Sequence, residues 1–199
     1  MTAWLQSASR DNKVIGITST VPNEGKSTIA SNLAALMADA GRRVVLIDAD
    51  LRNPTLARSG KVELVQAIGR EPTAELALFP LLLTEAPVHS DEVLASQGFR
   101  DLLESLRQSY DYVIIDLPPI APVVDVRAVV TAIDSFVYVV GWGSTKINAV
   151  RHHLLADPEL HDRLLGVVLN KADLRALEKF EQPGVYQNGY YVTGGFRRS

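Results

Sequence analysis

The stretch Ser19-Thr20-Val21-Pro22-Asn23-Glu24-Gly25-Lys26-Ser27-Thr28 decides how this chain is read. It joins a short apolar run to an amphipathic one and ends in Gly-Lys-Ser. A loop of this composition turns backbone N–H groups toward phosphate, carries a lysine to the β/γ-phosphates and leaves a hydroxyl for Mg²⁺. The pattern Gly-x-x-x-x-Gly-Lys-[Ser/Thr] is only partly met, because Thr20 stands at its first glycine. Context therefore decides. Lys13 to Thr18 (KVIGIT) is a β-branched run suited to a buried parallel strand. After the loop, Ile29, Leu33, Leu36, Met37 and Ala40 recur at helical spacing, and Gly41 supplies a stop. The loop thus runs from a strand into a helix N-terminus, where unpaired N–H groups and the helix dipole favour an anion.

Composition bounds the class. With 199 residues, 47% apolar and 22% charged, the chain reads as one ordinary globular domain with no Pro/Ser-rich linker. A net charge of −3 provides no general attraction to nucleic acid or anionic lipid. The absence of cysteine excludes disulfides and thiolate metal sites. No apolar run approaches the roughly 20 residues that span a bilayer, and Met1 to Arg10 lacks the features of a signal peptide, so an intracellular location is expected.

Farther along, Arg43 to Asp50 (RVVLIDAD) is a second continuous apolar run, and it ends in two acids spaced i, i+2. On a strand that spacing puts Asp48 and Asp50 on one side, at the carboxyl end where open α/β sheets bind ligands. Val62 to Ile68 reads as a short helix. Ala77 to Leu83 reads as a strand in which Pro80 marks a bulge or a sheet edge. Asp91 to Ala95 begins a helical turn, and Phe99 to Ser109 is amphipathic through Phe99, Leu102, Leu103 and Leu106. Asp111 to Pro119 (DYVIIDLPP) is buried-strand material with Asp116 at its end, where a carboxylate can hold Mg²⁺ or its water opposite the phosphate loop. Val123 to Ile133 and Lys146 to Ala156 read as helices, and Ser135 to Gly141 and Leu165 to Asn170 as strands. Apolar strands alternating with helices predict an α/β, mostly parallel sheet covered on both faces. His89, His152, His153 and His161 have no partners at ligand spacing and are expected at the surface; Trp4 and Trp142 are expected to pack rather than to stack on a nucleotide.

The motifs VPNEGKST, VVLIDADLRNP and YDYVIIDLPP, in this order, resemble the phosphate loop, second acidic motif and strand-end acidic motif of bacterial tyrosine kinases. These are the cytoplasmic kinase domains of polysaccharide co-polymerases, acting in capsule and exopolysaccharide production. The resemblance covers about Lys13 to Asp173 and implies a P-loop NTPase fold of the deviant Walker type. It divides the chain into an extension (1–12), a kinase domain (13–181) and a tyrosine-containing tail (182–199). It implies ATP and Mg²⁺ as cofactors, with Pro22, Asn23, Glu24, Gly25, Lys26, Ser27, Thr28 and Asn170 around the nucleotide. Lys26, Asp48 and Asp50 form the implied catalytic set: Lys26 on the transferring phosphate, Asp48 as base for the acceptor hydroxyl, Asp50 supporting the metal. Ser27 and Asp116 complete the implied metal site. The implied acceptors are Tyr186, Tyr190 and Tyr191, phosphorylated between neighbouring subunits. The implied partner is a transmembrane co-polymerase segment, on the same or a separate chain, which would hold the kinase at the inner face of the membrane. Met1 to Asn12 lacks the Glu-x-x-Arg-x-x-Arg motif through which relatives assemble.

Three alternatives stand beside the kinase. Partitioning ATPases of the same fold carry a signature lysine four positions before the second glycine, where this chain has Val21. GTP switches read guanine with Asn-Lys-x-Asp, which Asn170 to Asp173 matches, but they carry a glycine three residues after the strand-end acid, where this chain has Pro119. A regulator that binds nucleotide without transferring phosphate would retain the same charged groups.

Overall fold

All six runs that read as strands are strands. The computed structural model describes residues 12–54, 76–80, 90–121 and 125–173. In it β1 is Val14–Ser19, β2 Val44–Asp48, β3 Leu76–Pro80, β4 Tyr112–Asp116, β5 Ser135–Gly141 and β6 Leu164–Asn170. They form one sheet in the order β3-β2-β4-β1-β5-β6, every pair parallel. The helices are α1 (Lys26–Asp39), α2 (Ser90–Ala95), α3 (Gln97–Ser109), α4 (Asp125–Val129), α5 (Ile147–Leu155) and α6 (Pro158–Asp162).

Side chains alternate between the two faces of each strand, and both faces are covered over β1, β2, β4 and β5, whereas Val167 and Leu169 of the edge strand β6 are exposed. Ile15, Ile17, Val44, Leu46, Ile114, Val137 and Val139 pack against Ala30, Leu33, Ala34 and Met37 of α1. Val45, Ile47, Val113, Ile115, Phe136 and Tyr138 point the other way and meet Leu94, Phe99, Leu103, Val126, Val150 and Leu160 from the remaining helices. Each such side chain contributes roughly 1.5–3 kcal/mol by leaving water, which is why the strands show no polar alternation. Chain order reverses at β1: the chain moves outward to β2 and β3, returns through β4, then crosses to β5 and β6 on the other side. Ligands of open α/β sheets bind at the carboxyl ends of strands at such a switch point. The loop that follows β1 occupies it.

Local chemistry sets the helix ends. α1 stops in two backbone bonds, Gly41 N–H to the Ala38 carbonyl (2.8 Å) and Arg42 N–H to that of Met37 (3.1 Å), with Gly41 at φ 76°. That left-handed stop favours glycine on backbone grounds alone, since a Cβ there would meet no neighbour. α3 begins two residues earlier than its apolar stripe, because the Ser96 hydroxyl caps the Phe99 N–H at 3.2 Å.

Several elements differ from expectation. The strand expected over 43–50 ends at Asp48; Asp50 instead opens a turn in which it accepts the Asn53 N–H through both backbone and side chain. The strand expected over 77–83 is described as Leu76–Pro80, at the sheet edge, where proline is tolerated; 81–83 lie outside the described residues. The helix expected from Val123 to Ile133 is α4 followed by a 3₁₀ turn, Val130–Ala132, since the β-branched run Val129-Val130-Thr131 is a poor continuation of an α-helix. α6 was not foreseen. It has Pro158 in its first turn and Asp157 capping the Leu160 N–H at 3.1 Å. His152 and His161 are exposed, His153 is half-buried, and Trp142 is half-buried. Trp4, His89 and the helix expected over 62–68 lie outside the described residues.

Candidate nucleotide site

The loop after β1 is held by side chains on every side. Thr20, fully buried, shares a 3.0 Å hydrogen bond with the hydroxyl of Tyr138 on β5. Its φ is not among the positive ones, so glycine is not required there, and the hydroxyl supplies an anchor instead. Burial pushes the Tyr138 hydroxyl pKa up; the Thr20 bond acts against this and Glu24 adds to it. The segment after β4 zips along the same loop: Ile120 N–H to the Ser19 carbonyl and Ala121 N–H to that of Thr20, both 2.9 Å, with Thr18 Oγ1 donating to the Pro118 carbonyl at 2.8 Å.

From β6 come two more ties. Asn170 Nδ2 donates to the Glu24 carbonyl at 2.8 Å, and Lys171 Nζ to the Asn23 carbonyl. Asn23 and Lys171 are both left-handed, at φ 67° and 57°. Gly25 must be glycine for two reasons. Its φ is 93°, and a Cβ there would stand 2.1 Å from Asn170 Nδ2. As the N-cap of α1, Gly25 brings no side-chain cap, and the first turn holds no acid. The opening N–H groups of the helix are left to an anion.

Opposite the loop lie the acids. Asp48 and Asp116 are register partners on β2 and β4, so their carboxyl groups stand side by side on one face of the sheet. Both are buried, as is Asp50. Lys26 Nζ lies between, 2.7 Å from Asp50 Oδ2 and 3.4 Å from Asp116 Oδ1, and 3.5 Å from Ser27 Oγ. Burial alone would lower the Lys26 pKa, but Asp116 and Asp50 outweigh it and hold the ammonium charged above its ordinary value. Both acids act on it through charge and through hydrogen bonding, Asp50 from the shorter distance. Asp116 is raised to about 6, chiefly by burial; Lys26 and a hydrogen bond from Ser27 act against the rise, and Asp48 and Asp50 add to it.

A cavity of about 530 Å³ opens in front of this floor, lined by Pro22, Asn23, Gly25, Lys26, Ser27, Thr28, Asp50, Arg52, Asn53, Pro118, Pro119 and Lys171. That is the size range of small-molecule sites. Of the residues expected at the nucleotide, Glu24 and Asn170 turn their side chains into the scaffold of the loop instead of the cavity. Asp48 and Asp116 lie behind the wall; Asp50 reaches it. Tyr186, Tyr190 and Tyr191 lie outside the described residues. Arg52, Asn53 and Lys171 belong to the cavity without having been singled out for it, and Tyr138 and Thr145 hold the loop from 118 and 121 residues away. No local pattern marks such distant partners.

The oxygen donors here suit a hard cation. Asp116 Oδ2 is buried without a hydrogen-bond partner, and the Ser27 hydroxyl acts on the same carboxyl group. Among the described residues no group of three or more His, Cys, Asp or Glu side chains is close enough to cage a metal. One carboxylate, one hydroxyl, waters and phosphate oxygens are the set that Mg²⁺ takes.

A parallel sheet with a phosphate loop after its central strand and an acid at the end of the neighbouring strand defines a P-loop NTPase fold. Residues 15–197 match the model of the CobQ/CobB/MinD/ParA nucleotide binding domain. Over 85% of its length the chain is 32% identical to the tyrosine-protein kinase CpsD of Streptococcus agalactiae, of which it spans 80%. Over 87% of its length it is 39% identical to the succinoglycan biosynthesis transport protein ExoP of Rhizobium meliloti, of which it spans only 24%. The kinase domain of VpsO superposes with a TM-score of 0.69 at 27% identity, covering 86% of this chain and 91% of that one. The chain belongs to the CobQ/CobB/MinD/ParA nucleotide-binding family and, within it, to the bacterial tyrosine kinases. No helix among the described residues is long and apolar enough to cross a membrane.

Proposed function

We propose that this chain is an ATP-dependent protein-tyrosine autokinase that regulates capsular or exopolysaccharide synthesis. The observation that carries the reading is the floor of the cavity, where Lys26 bridges Asp50 and Asp116 directly beneath the uncapped start of α1. Similarity to CpsD over four fifths of that kinase supports it. The proposed partner is a transmembrane co-polymerase segment that holds the domain at the cytoplasmic face of the membrane, a reading supported by the likeness to ExoP.

Phosphoryl transfer asks for positioning and charge neutralisation more than covalent help. The helix N-terminus and the loop N–H groups take the phosphate oxygens, and Lys26 exchanges its carboxylate partners for the transferring phosphate. Ser27 and Asp116 would hold Mg²⁺, which when bound neutralises charge between the β- and γ-phosphates. A phenol with an ordinary pKa near ~10 needs a carboxylate aimed at its proton. Asp50 lines the cavity and Asp48 lies behind it, so the geometry favours Asp50 for that proton and gives Asp48 a share in charging the floor. The acceptors are the tail tyrosines 186, 190 and 191 of a neighbouring subunit.

The test is incubation with labelled ATP and Mg²⁺ followed by phosphotyrosine mapping. Label on the tail tyrosines that vanishes in Lys26→Met is expected; ATP hydrolysis with no label on protein would sink the kinase reading in favour of a switch. Asp50→Asn is expected to abolish transfer while ATP binding persists, and Asp48→Asn to weaken it less. The reverse order would return the base to Asp48. Unlabelled GTP, expected to compete poorly, checks the base.

A further inference from the structure

We propose that Glu24 is a positioning residue whose buried carboxyl group fixes the phosphate loop against the turn after β5, so that Thr145, outside the cavity wall, helps set nucleotide affinity. The inference rests on the reading that a nucleoside triphosphate occupies the loop. Glu24 is only 2% exposed and does not line the cavity. Burying a carboxyl group is tolerable only with donors around it, and this one has three. Oε2 accepts the Val21 N–H at 2.7 Å. Oε1 accepts the Gly141 N–H at 2.8 Å and the Thr145 hydroxyl.

These donors lie on two separate pieces of chain. Val21 opens the phosphate loop, whereas Gly141 ends β5 and Thr145 follows in the turn leading to α5. One carboxyl group therefore pins the loop internally and ties it to the sheet. The pin sits where the backbone most needs holding: Glu24 is flanked by Asn23 and Gly25, both in left-handed conformation. The other ties, from Tyr138, Asn170 and Lys171, grip the loop from outside, through the Thr20 hydroxyl and two carbonyls. Within the loop, the Ser19 hydroxyl donates to the Val21 carbonyl at 2.9 Å, while Glu24 bonds both the loop and the turn after β5. Space at the far end is equally tight, since a Cβ on Gly141 would stand 2.4 Å from Ser144 Oγ and 3.6 Å from Glu24 Cγ. A loop released from this pin still presents the same N–H groups but must be ordered when phosphate arrives, and affinity falls by that ordering.

The experiment measures the Kd of a fluorescent ATP analogue with Mg²⁺ for the full chain, with thermal melting of the nucleotide-free protein as the check on folding. Glu24→Gln keeps the shape but turns an NH₂ toward one of the former donors. It is expected to weaken binding by about 10- to 100-fold. Thr145→Val removes one donor in the turn, leaves the cavity wall intact and keeps the inference testable should Glu24→Gln fail to fold. It is expected to weaken binding by about 3- to 10-fold. Because Thr145 acts through Glu24, adding Thr145→Val to Glu24→Gln should weaken binding by less than about 2-fold more. Wild-type affinity in Thr145→Val, or effects that multiply in the double variant, would overturn the proposal. Wild-type protein that binds ATP but forms no phosphotyrosine would overturn the kinase reading and leave this inference standing. Wild-type protein with no affinity for ATP would overturn both.

Discussion

Replacing Asp116 by asparagine isolates what it takes to ionise a carboxyl group in the floor of the site. Asp116 is fully buried, and burial is the main reason its pKa rises from 3.8 to about 6. An acid that holds its proton more tightly when folded stabilises the fold fully below its unfolded value, and that contribution is lost as pH rises through the folded one. The rise is equivalent to about 3 kcal/mol. Asparagine cannot ionise. The stability of wild type minus that of Asp116→Asn is therefore expected to fall by about 3 kcal/mol between pH ~4 and ~7 and to level off above. Urea unfolding across that range measures it, and taking the difference cancels the other titrating groups. Lys26 keeps Asp50 at 2.7 Å in the variant, so no cation is stranded. A difference that is flat, or that grows with pH, would mean that Lys26 outweighs burial and that Asp116 is ionised throughout; the account of the floor given above would then be wrong.

Three further outcomes are expected. Gly25→Ala forces a Cβ onto Asn170 Nδ2 at φ 93°, and should lower the melting temperature and weaken nucleotide binding at least 10-fold, with strain of about 1–3 kcal/mol; an unchanged melting temperature would show that Asn170 does not seat there. Arg107→Ala removes the guanidinium that pairs with Asp134 at 2.7 Å, while Asp134 also accepts the Lys13 and Val14 N–H groups; stability should drop by about 1–3 kcal/mol in urea with nucleotide Kd unchanged. ATP should bind at least 10-fold more weakly in EDTA than in Mg²⁺, and titration calorimetry showing equal affinity would remove the cation from the site.

Much of the fold was legible because the central strands are buried on both faces, which writes them as apolar runs such as Val44 to Ile47 or Val113 to Ile115. The phosphate loop and the strand-end acid were legible for the same reason: their places are set by the strand that precedes each. What escaped was decided by contacts across the sheet. Nothing near Thr20 in sequence announces Tyr138, and nothing near Glu24 announces Thr145. The spacing of Asp48 and Asp50 suggested two acids on one strand face, but the strand ends at Asp48, and Asp50 reaches the cavity by turning back toward Asn53. A period-two argument holds only while the strand lasts.

The charge of the floor explains why nucleotide and cation are expected to arrive together. Lys26 is the cation bridging Asp50 and Asp116, with Asp48 alongside. When its ammonium moves to a phosphate, it takes its charge away from two buried acids and brings more negative charge near them. A buried acid that loses its partner raises its pKa or finds another cation. Asp116, already raised to about 6, then stands close to taking a proton. A divalent ion held by Asp116, whose Oδ2 is buried without a hydrogen-bond partner, would remove that need and let the carboxyl group stay ionised while Lys26 serves the phosphate. On the proposed reading, the lysine that pairs with these acids is the same group that gives them up when ATP binds, so occupancy of the loop and readiness of the metal site are one equilibrium.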